Sequence, residues 1–178
     1  MAIKPTIYKF RISLSDLNRN YYDTLSLTIA QHPSETVERM MVRILAFCIN
    51  AQENLEFTKG LSSTDEPDIW LKALDEQITL WIDVGEPATE RVKKSTRIAS
   101  AVKVYSFNSK SDVWWQQEKN KLMQLDADYY QFPWSEVQAL ASLVERSMDL
   151  SMTITGDSAY IAADLGECEI NWVDLRSV

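Results

Sequence analysis

Between residues 6 and 14, Tyr8, Phe10, Ile12 and Leu14 alternate with Lys9, Arg11 and Ser13, the period-two pattern of a strand with one buried face. A second alternating run spans residues 21–31, where Tyr21, Leu25, Leu27 and Ile29 face Thr24, Ser26 and Thr28. The polar joint at 15–20 is short, so the two runs are expected to pair antiparallel. The period then changes. Val37, Met40, Met41, Ile44, Leu45, Cys48 and Ile49 recur at i, i+3, i+4 and i+7, a helical stripe that packs one face onto a sheet. Pro33-Ser34 opens this helix, with Glu35 and Glu38 in its first turns. At 100° per residue Glu38 lies about 80° from the centre of the stripe and Glu35 about 140°, so Glu38 alone leans inward.

The middle of the chain carries a short strand at 55–58 and an apolar run at 67–71. An alternating strand at 78–84 then sets Ile78, Leu80, Ile82 and Val84 against Thr79, Trp81 and Asp83. A competing local pattern makes Asp65 or Glu66 an N-cap and residues 67–74 a short helix. Pro87 begins a helix over 88–100 with Val92, Thr96 and Ala99 inward and Arg91, Lys94 and Ile98 on one flank. A strand at 102–107 completes a βαβ step, which favours a parallel crossover. The carboxy-terminal third predicts a helix over 109–123 and a strand at 125–132. A further helix is capped by Ser135 and carries Val137, Leu140, Ala141, Val144 and Met148. Hairpins turning at Gly156-Asp157 close the chain, with Cys168, Ile170 and Trp172 in the last strand. These elements predict an α/β protein of one domain over residues 1–178, a mixed central β-sheet flanked by helices, with an added amino-terminal strand pair and carboxy-terminal hairpins.

Composition narrows the function classes. With 46% hydrophobic residues, 4 glycines and 5 prolines in 178 residues, the chain is long enough to bury a core without disulfides. It has no run resembling a membrane span or a secretory signal, so a cytoplasmic location without membrane association is expected. Cys48 and Cys168 have no partner at metal-ligand spacing and read as buried free thiols. A net charge of −8 repels a phosphate backbone at long range, although screening lets a local basic patch act alone. His32 is the one histidine, and it stands before Pro33 with no nucleophile motif, which disfavours triad chemistry. The four glycines, at 60, 85, 156 and 166, form no phosphate loop.

The chemistry concentrates between residues 64 and 94. Pro67-Asp68 enters one apolar run and Asp83 ends the next, so adjacent strands would place two carboxylates where hard cations bind. Asp68 shares a face with Trp70 and Asp83 with Trp81, an acidic spot beside an aromatic wall. Each residue also has a purely structural reading. Asp83 can accept N–H bonds at the following helix start, Asp68 can be a turn residue, Lys93 and Lys94 can be a solvated face, and both tryptophans can be sheet core.

Helix, strand, Pro-Asp strand, Asp-x-Gly strand, helix and strand over residues 33–107 resemble the core of the PD-(D/E)XK, or restriction-endonuclease-like, nuclease fold. The wider sequence resembles the YaeQ family of bacterial proteins over essentially the whole chain. The matching stretches are Glu35-Thr-Val-Glu-Arg-Met-Met-Val-Arg-Ile-Leu-Ala-Phe, Glu66-Pro-Asp-Ile-Trp, Trp81-Ile-Asp-Val-Gly-Glu-Pro and Arg91-Val-Lys-Lys. The nuclease resemblance implies Asp68 and Asp83 as ligands to Mg²⁺ or Mn²⁺, with the Val84 backbone carbonyl as a third and Glu38 assisting. The motif lysine that would stabilise phosphorane charge is replaced by Gly85, and Lys94 or Arg91 is the candidate substitute. Two functions follow as expectations. One is a metal-dependent phosphodiester hydrolase on nucleic acid; the other is a non-catalytic binding or regulatory protein that recruits nucleic acid or a protein partner on a degenerate nuclease fold.

Overall fold

The structure, a computed structural model, describes residues 4–178. In chain order its elements are β1 (Thr6–Asp16), β2 (Tyr21–Gln31), α1 (Val37–Ile49), β3 (Leu55–Phe57), β4 (Ile69–Lys72), β5 (Ile78–Val84), α2 (Thr89–Ile98), β6 (Val102–Ser106), α3 (Ser111–Leu122), β7 (Asp128–Gln131), α4 (Trp134–Ala141), β8 (Ser147–Thr155), β9 (Ser158–Ala163), β10 (Gly166–Asn171) and β11 (Val173–Asp174). The protein is mixed α/β, with four helices and two mixed sheets in place of the one central sheet expected. Alternation identifies which face of a strand is buried, and it carries no information about which strand lies alongside. No helix among the described residues is long and apolar enough to cross a membrane.

Contacts gather the chain into two compact units, one of residues up to Met41 with Pro133–Trp172, the other of Val42–Phe132 with Val173–Val178. In the first unit the strand order is β10-β9-β8-β1-β2. β1 and β2 pair antiparallel without a break from Thr6↔Gln31 to Asp16↔Tyr21, as the alternating runs predict. β8 lies parallel to β1 on its other side, and Phe10, Ile12 and Leu14 are at most 2% exposed. Two expectations are corrected in this unit. The last helix ends at Ala141 and starts at Trp134, so Ser135 is not its cap, and Met148 belongs to β8, where it alternates with Leu150, Met152 and Ile154. Glu35 lies outside α1; Thr36 caps the helix by accepting from the Arg39 N–H at 3.1 Å, while Glu35 is buried and pairs with Arg39 at 2.8 Å.

The second unit orders its sheet β11-β7-β6-β5-β4-β3, with β5, β6 and β7 parallel and the outer pairs antiparallel. Residues 69–72 are strand, so the local helix alternative over 67–74 is not adopted. One sheet face carries Trp81, Val102, Val104 and Tyr129, packed with Val92 of α2 and Trp115 and Leu122 of α3. Along α2 the inward positions are Val92, Ser95 and Ala99, and Thr96 is only half-buried. The small hydroxyl of Ser95 fits the interior because it donates to the Arg91 carbonyl at 2.8 Å. Cys48 is fully buried, which pushes its thiol up to about 12, and Cys168 is half-buried; both are free.

Ile12 is fully enclosed and Leu74 fully exposed. Ile12→Ala is expected to lower unfolding free energy by about 2–5 kcal/mol, and Leu74→Ala to leave it within about 0.5 kcal/mol. Urea titration followed by far-UV circular dichroism measures both.

A buried acid pair held by Arg91

β4 and β5 are in register at Ile69↔Ile82 and Trp70↔Trp81. One residue before this pairing begins, the Asp68 N–H also donates to the Ile82 carbonyl, at 3.0 Å, and its carboxylate charge acts on Asp83. Asp68 and Asp83 are 4% and 3% exposed. Like charges close together are destabilising, and burying them adds a desolvation cost. The buried pair therefore requires a counter-charge.

Arg91 supplies it from the first turns of α2. Its Nε donates to Asp83 Oδ2 and its Nη2 to Asp83 Oδ1, both at 3.0 Å, a two-point fork that suits guanidinium and carboxylate geometry. The same guanidinium donates from Nη1 to the Thr64 carbonyl at 2.8 Å and from Nη2 to the Glu66 carbonyl at 2.9 Å. Arg91 thus ties the segment before Pro67 to β5 and to its own helix. Asp68 uses Oδ2 to accept the Val84 N–H at 2.8 Å, so Val84 meets the acid pair through its amide hydrogen.

Burial is the largest influence on Asp83 and raises its pKa above the ordinary 3.8, against the lowering effect of Arg91; the neighbouring Asp68 charge adds to the rise. The Trp81 indole N–H lies near enough to lower this pKa slightly without completing a hydrogen bond of normal geometry. The Arg91 guanidinium carbon is 6.0 Å from the centre of the Trp81 ring, within cation–π range. A recess of about 230 Å³ opens here, lined by Thr64, Asp65, Trp81, Arg91, Lys94 and Ile98 among others.

The structure thus brings together Asp68, Asp83, Arg91 and, at the recess, an exposed Lys94. Glu38 is half-buried in the first turn of α1 and belongs to the other compact unit. Gly85 has φ +117° and holds its place by donating to the Tyr105 carbonyl at 2.8 Å. Among the described residues no three His, Cys, Asp or Glu side chains gather as metal ligands. Asp83 directs both oxygens to guanidinium, whereas Mg²⁺ demands near-octahedral oxygen ligation. In this arrangement the residues do not fit a divalent cation.

Two polar groups escaped sequence reasoning. Glu86 accepts from the Phe107 N–H at 3.0 Å and the Ser111 hydroxyl at 2.9 Å, and also bonds the Asn108 backbone and side chain; it fastens the end of β5 to the start of α3. Asn50 is buried, donating to the Tyr105 hydroxyl at 2.9 Å and accepting from Lys103 Nζ at 2.7 Å. A polar residue directly after an apolar helical stripe was the available signal for Asn50.

A family model described as the YaeQ protein matches residues 1–172. The chain belongs to the YaeQ family. It is 38% identical over 173 residues to YaeQ of Escherichia coli (strain K12), covering 96% of each chain. It is 39% identical over 172 residues to YaeQ of Salmonella typhi, covering 96% of this chain and 95% of that one. Among solved structures, YaeQ from Xanthomonas axonopodis pv. citri superposes with TM-score 0.92 at 34% identity over 96% of this chain and 97% of that one. YaeQ from Pseudomonas syringae superposes with TM-score 0.91 at 33% identity over 96% of each. The two enterobacterial relatives are described as uncharacterised, so YaeQ membership brings a fold and no reaction.

Because the folded state holds the Asp83 proton more tightly than the unfolded chain, this group stabilises the fold fully below the ordinary carboxylate value and loses that contribution as pH rises through its native pKa. Asp83→Asn is expected to remove this contribution, seen as a changed slope of unfolding free energy as pH rises above the ordinary value of 3.8. Arg91→Leu leaves the buried carboxylate uncompensated. It is expected to cost about 3–5 kcal/mol and to raise the Asp83 pKa further, whereas Asp83→Asn combined with Arg91→Leu recovers part of the loss. Carboxyl-carbon NMR titration and urea unfolding of the three variants read these effects.

Proposed function

We propose that this YaeQ-family chain is a non-catalytic binding or regulatory protein whose nuclease-like acid pair has become an internal tie. One observation carries the reading: both oxygens of Asp83 are taken by Arg91. In a working metal-dependent phosphodiesterase, those oxygens are needed for the cation, and a lysine two residues on serves the developing phosphate charge. Here Gly85 occupies that position in a left-handed conformation, and the Arg91 guanidinium that meets Asp83 is committed to it. The binding face of this reading is the recess over Arg91, where the exposed Lys94 and Ile98 offer a cation and an apolar contact to a nucleic-acid or protein partner. The net charge of −8 makes such binding local and selective, because the field of the whole chain opposes indiscriminate attraction to polyanions.

The rival reading is a Mg²⁺- or Mn²⁺-dependent nuclease using Asp68 and Asp83, with Lys94 or Arg91 replacing the motif lysine. Its support is the closeness of the two buried acids. Calorimetry with MgCl₂ and MnCl₂, together with cleavage assays on single- and double-stranded DNA and RNA, separates the two. The expected outcome is no metal-dependent cleavage and no heat of metal binding that disappears in Asp83→Asn. Metal-dependent cleavage by the purified chain, lost in Asp83→Asn while circular dichroism shows the variant folded, overturns the binding reading.

A further inference from the structure

The four sheet edges of this protein are guarded very unequally. In the six-stranded sheet the edge strands β3 and β11 are three and two residues long. In the five-stranded sheet one edge, β10, carries Glu167 and Glu169, and Glu136 accepts its Asn171 N–H at 2.7 Å. The other edge, β2, runs for eleven residues with Asp23 as its single charged side chain, and it contains no lysine and no proline. Its pairing with β1 has no bulge. Short strands, edge charges, proline and bulges are the devices that keep sheet edges from recruiting another strand, and β2 has almost none of them.

The apolar layer beneath this sheet also thins toward β2. Phe10, Ile12 and Leu14 of β1 are enclosed, but their partners on β2, Leu27, Leu25 and Asp23, are half-buried or exposed. The direction of the backbone groups can be assigned. The Lys9 N–H bonds toward β8, to the Arg146 carbonyl at 2.9 Å, and Lys9 lies opposite Thr28. Antiparallel pairs alternate between bonded and non-bonded, so Tyr22, Thr24, Ser26 and Thr28 direct their backbone groups outward. Consistent with this, the Thr24 N–H is met by the Asp23 carboxylate of its own strand, at 2.8 Å. That carboxylate is exposed and can be displaced by a strand.

We propose that β2 is a homodimerisation edge, and that a second copy of this chain pairs its own β2 antiparallel across it, about a two-fold axis at Leu25. This register is self-complementary. It sets Tyr21 against Ile29, an aromatic against a β-branched side chain, and Leu25 against Leu25, while Tyr22 meets Thr28 and Thr24 meets Ser26. Asp23 faces Leu27, so no like charges oppose each other despite the net charge of −8. The bonded pairs Tyr22·Thr28 and Thr24·Ser26, each occurring twice, add about eight hydrogen bonds over nine residues. The half-exposed Tyr21, Leu25 and Leu27 are covered in the process. An interface of one strand pair belongs to the class below about 1,200 Å², so the dimer depends on concentration.

Cross-linking distinguishes this register from any other association. Leu25 and its copy form a non-bonded pair with Cα atoms about 4.5 Å apart, inside the range a disulfide spans. Tyr22 and its copy lie six positions apart, about 20 Å along the strands. The full chain carrying Leu25→Cys is expected to form a reducible dimer on mild oxidation, and Tyr22→Cys to form none above the background of Cys48 and Cys168. Sedimentation velocity of the unmodified chain is expected to show a dimer fraction that rises with concentration. Leu27→Lys, with unchanged circular dichroism, is expected to lower that fraction. A chain that stays monomeric at about 100 μM, or one that dimerises without Leu25→Cys cross-linking, overturns the proposal.

Discussion

Two buried carboxylates lie close together where β4 begins and β5 ends, and this arrangement governs the second unit. The pairing that sets Trp70 against Trp81 also brings the Asp68 charge within reach of Asp83, so the strand pairing cannot be had without the electrostatic problem. The Arg91 fork and the Val84 N–H answer it. Because the guanidinium reaches two backbone carbonyls as well, at Thr64 and Glu66, the same contact orders the segment leading into β4. Remove the cation and the sheet, helix and loop each lose a fixed point. An exposed ion pair could not have this reach; the near-complete burial of Asp83 confers it.

The polar devices around that centre share a logic. Glu86 gathers the Phe107 N–H and the Ser111 hydroxyl on the approach to α3, and Asn50 joins the Lys103 ammonium to the Tyr105 hydroxyl. Each sits where secondary structure ends and backbone or side-chain groups would otherwise be left without partners. The sheet is thus framed by polar contacts that specify one packing, over an interior that is almost wholly apolar and aromatic.

Much of this could be read from the chain, and the limits of that reading are physical. β1 and β2 were legible because one face of each meets apolar residues and the other meets water, whereas β5 is buried on both faces and was legible only because Thr79 and Asp83 interrupt its apolar run. α2 was legible as a helix but its inward face was misjudged at one position, since Ser95 satisfies its hydroxyl within its own turn and so passes for an apolar residue. Met148 fits a helical stripe as well as it fits the alternation of β8, and only a sheet partner decides between them. That partner is β1, far away in sequence, and this pairing is also what separates one expected sheet into two. The closeness of Asp68 and Asp83 was expected from adjacent strands. Charge balance required a cation near Asp83 and left Lys94 and Arg91 both open, whereas the carbonyl partners of Arg91 at Thr64 and Glu66 depend on the path of an irregular loop that no periodicity encodes.

Gly85 constrains the end of β5 through its backbone rather than through the space around it. A Cβ built there would meet nothing within 4 Å, so space is not what excludes a side chain. The exclusion lies in the backbone, at φ +117°, where any L-residue is strained. A lysine introduced at 85 would have the room but would carry that strain unless the end of β5 changed course. The turn thus sets the order of any change at this site: the backbone must be altered before a side chain at 85 can be accommodated without strain.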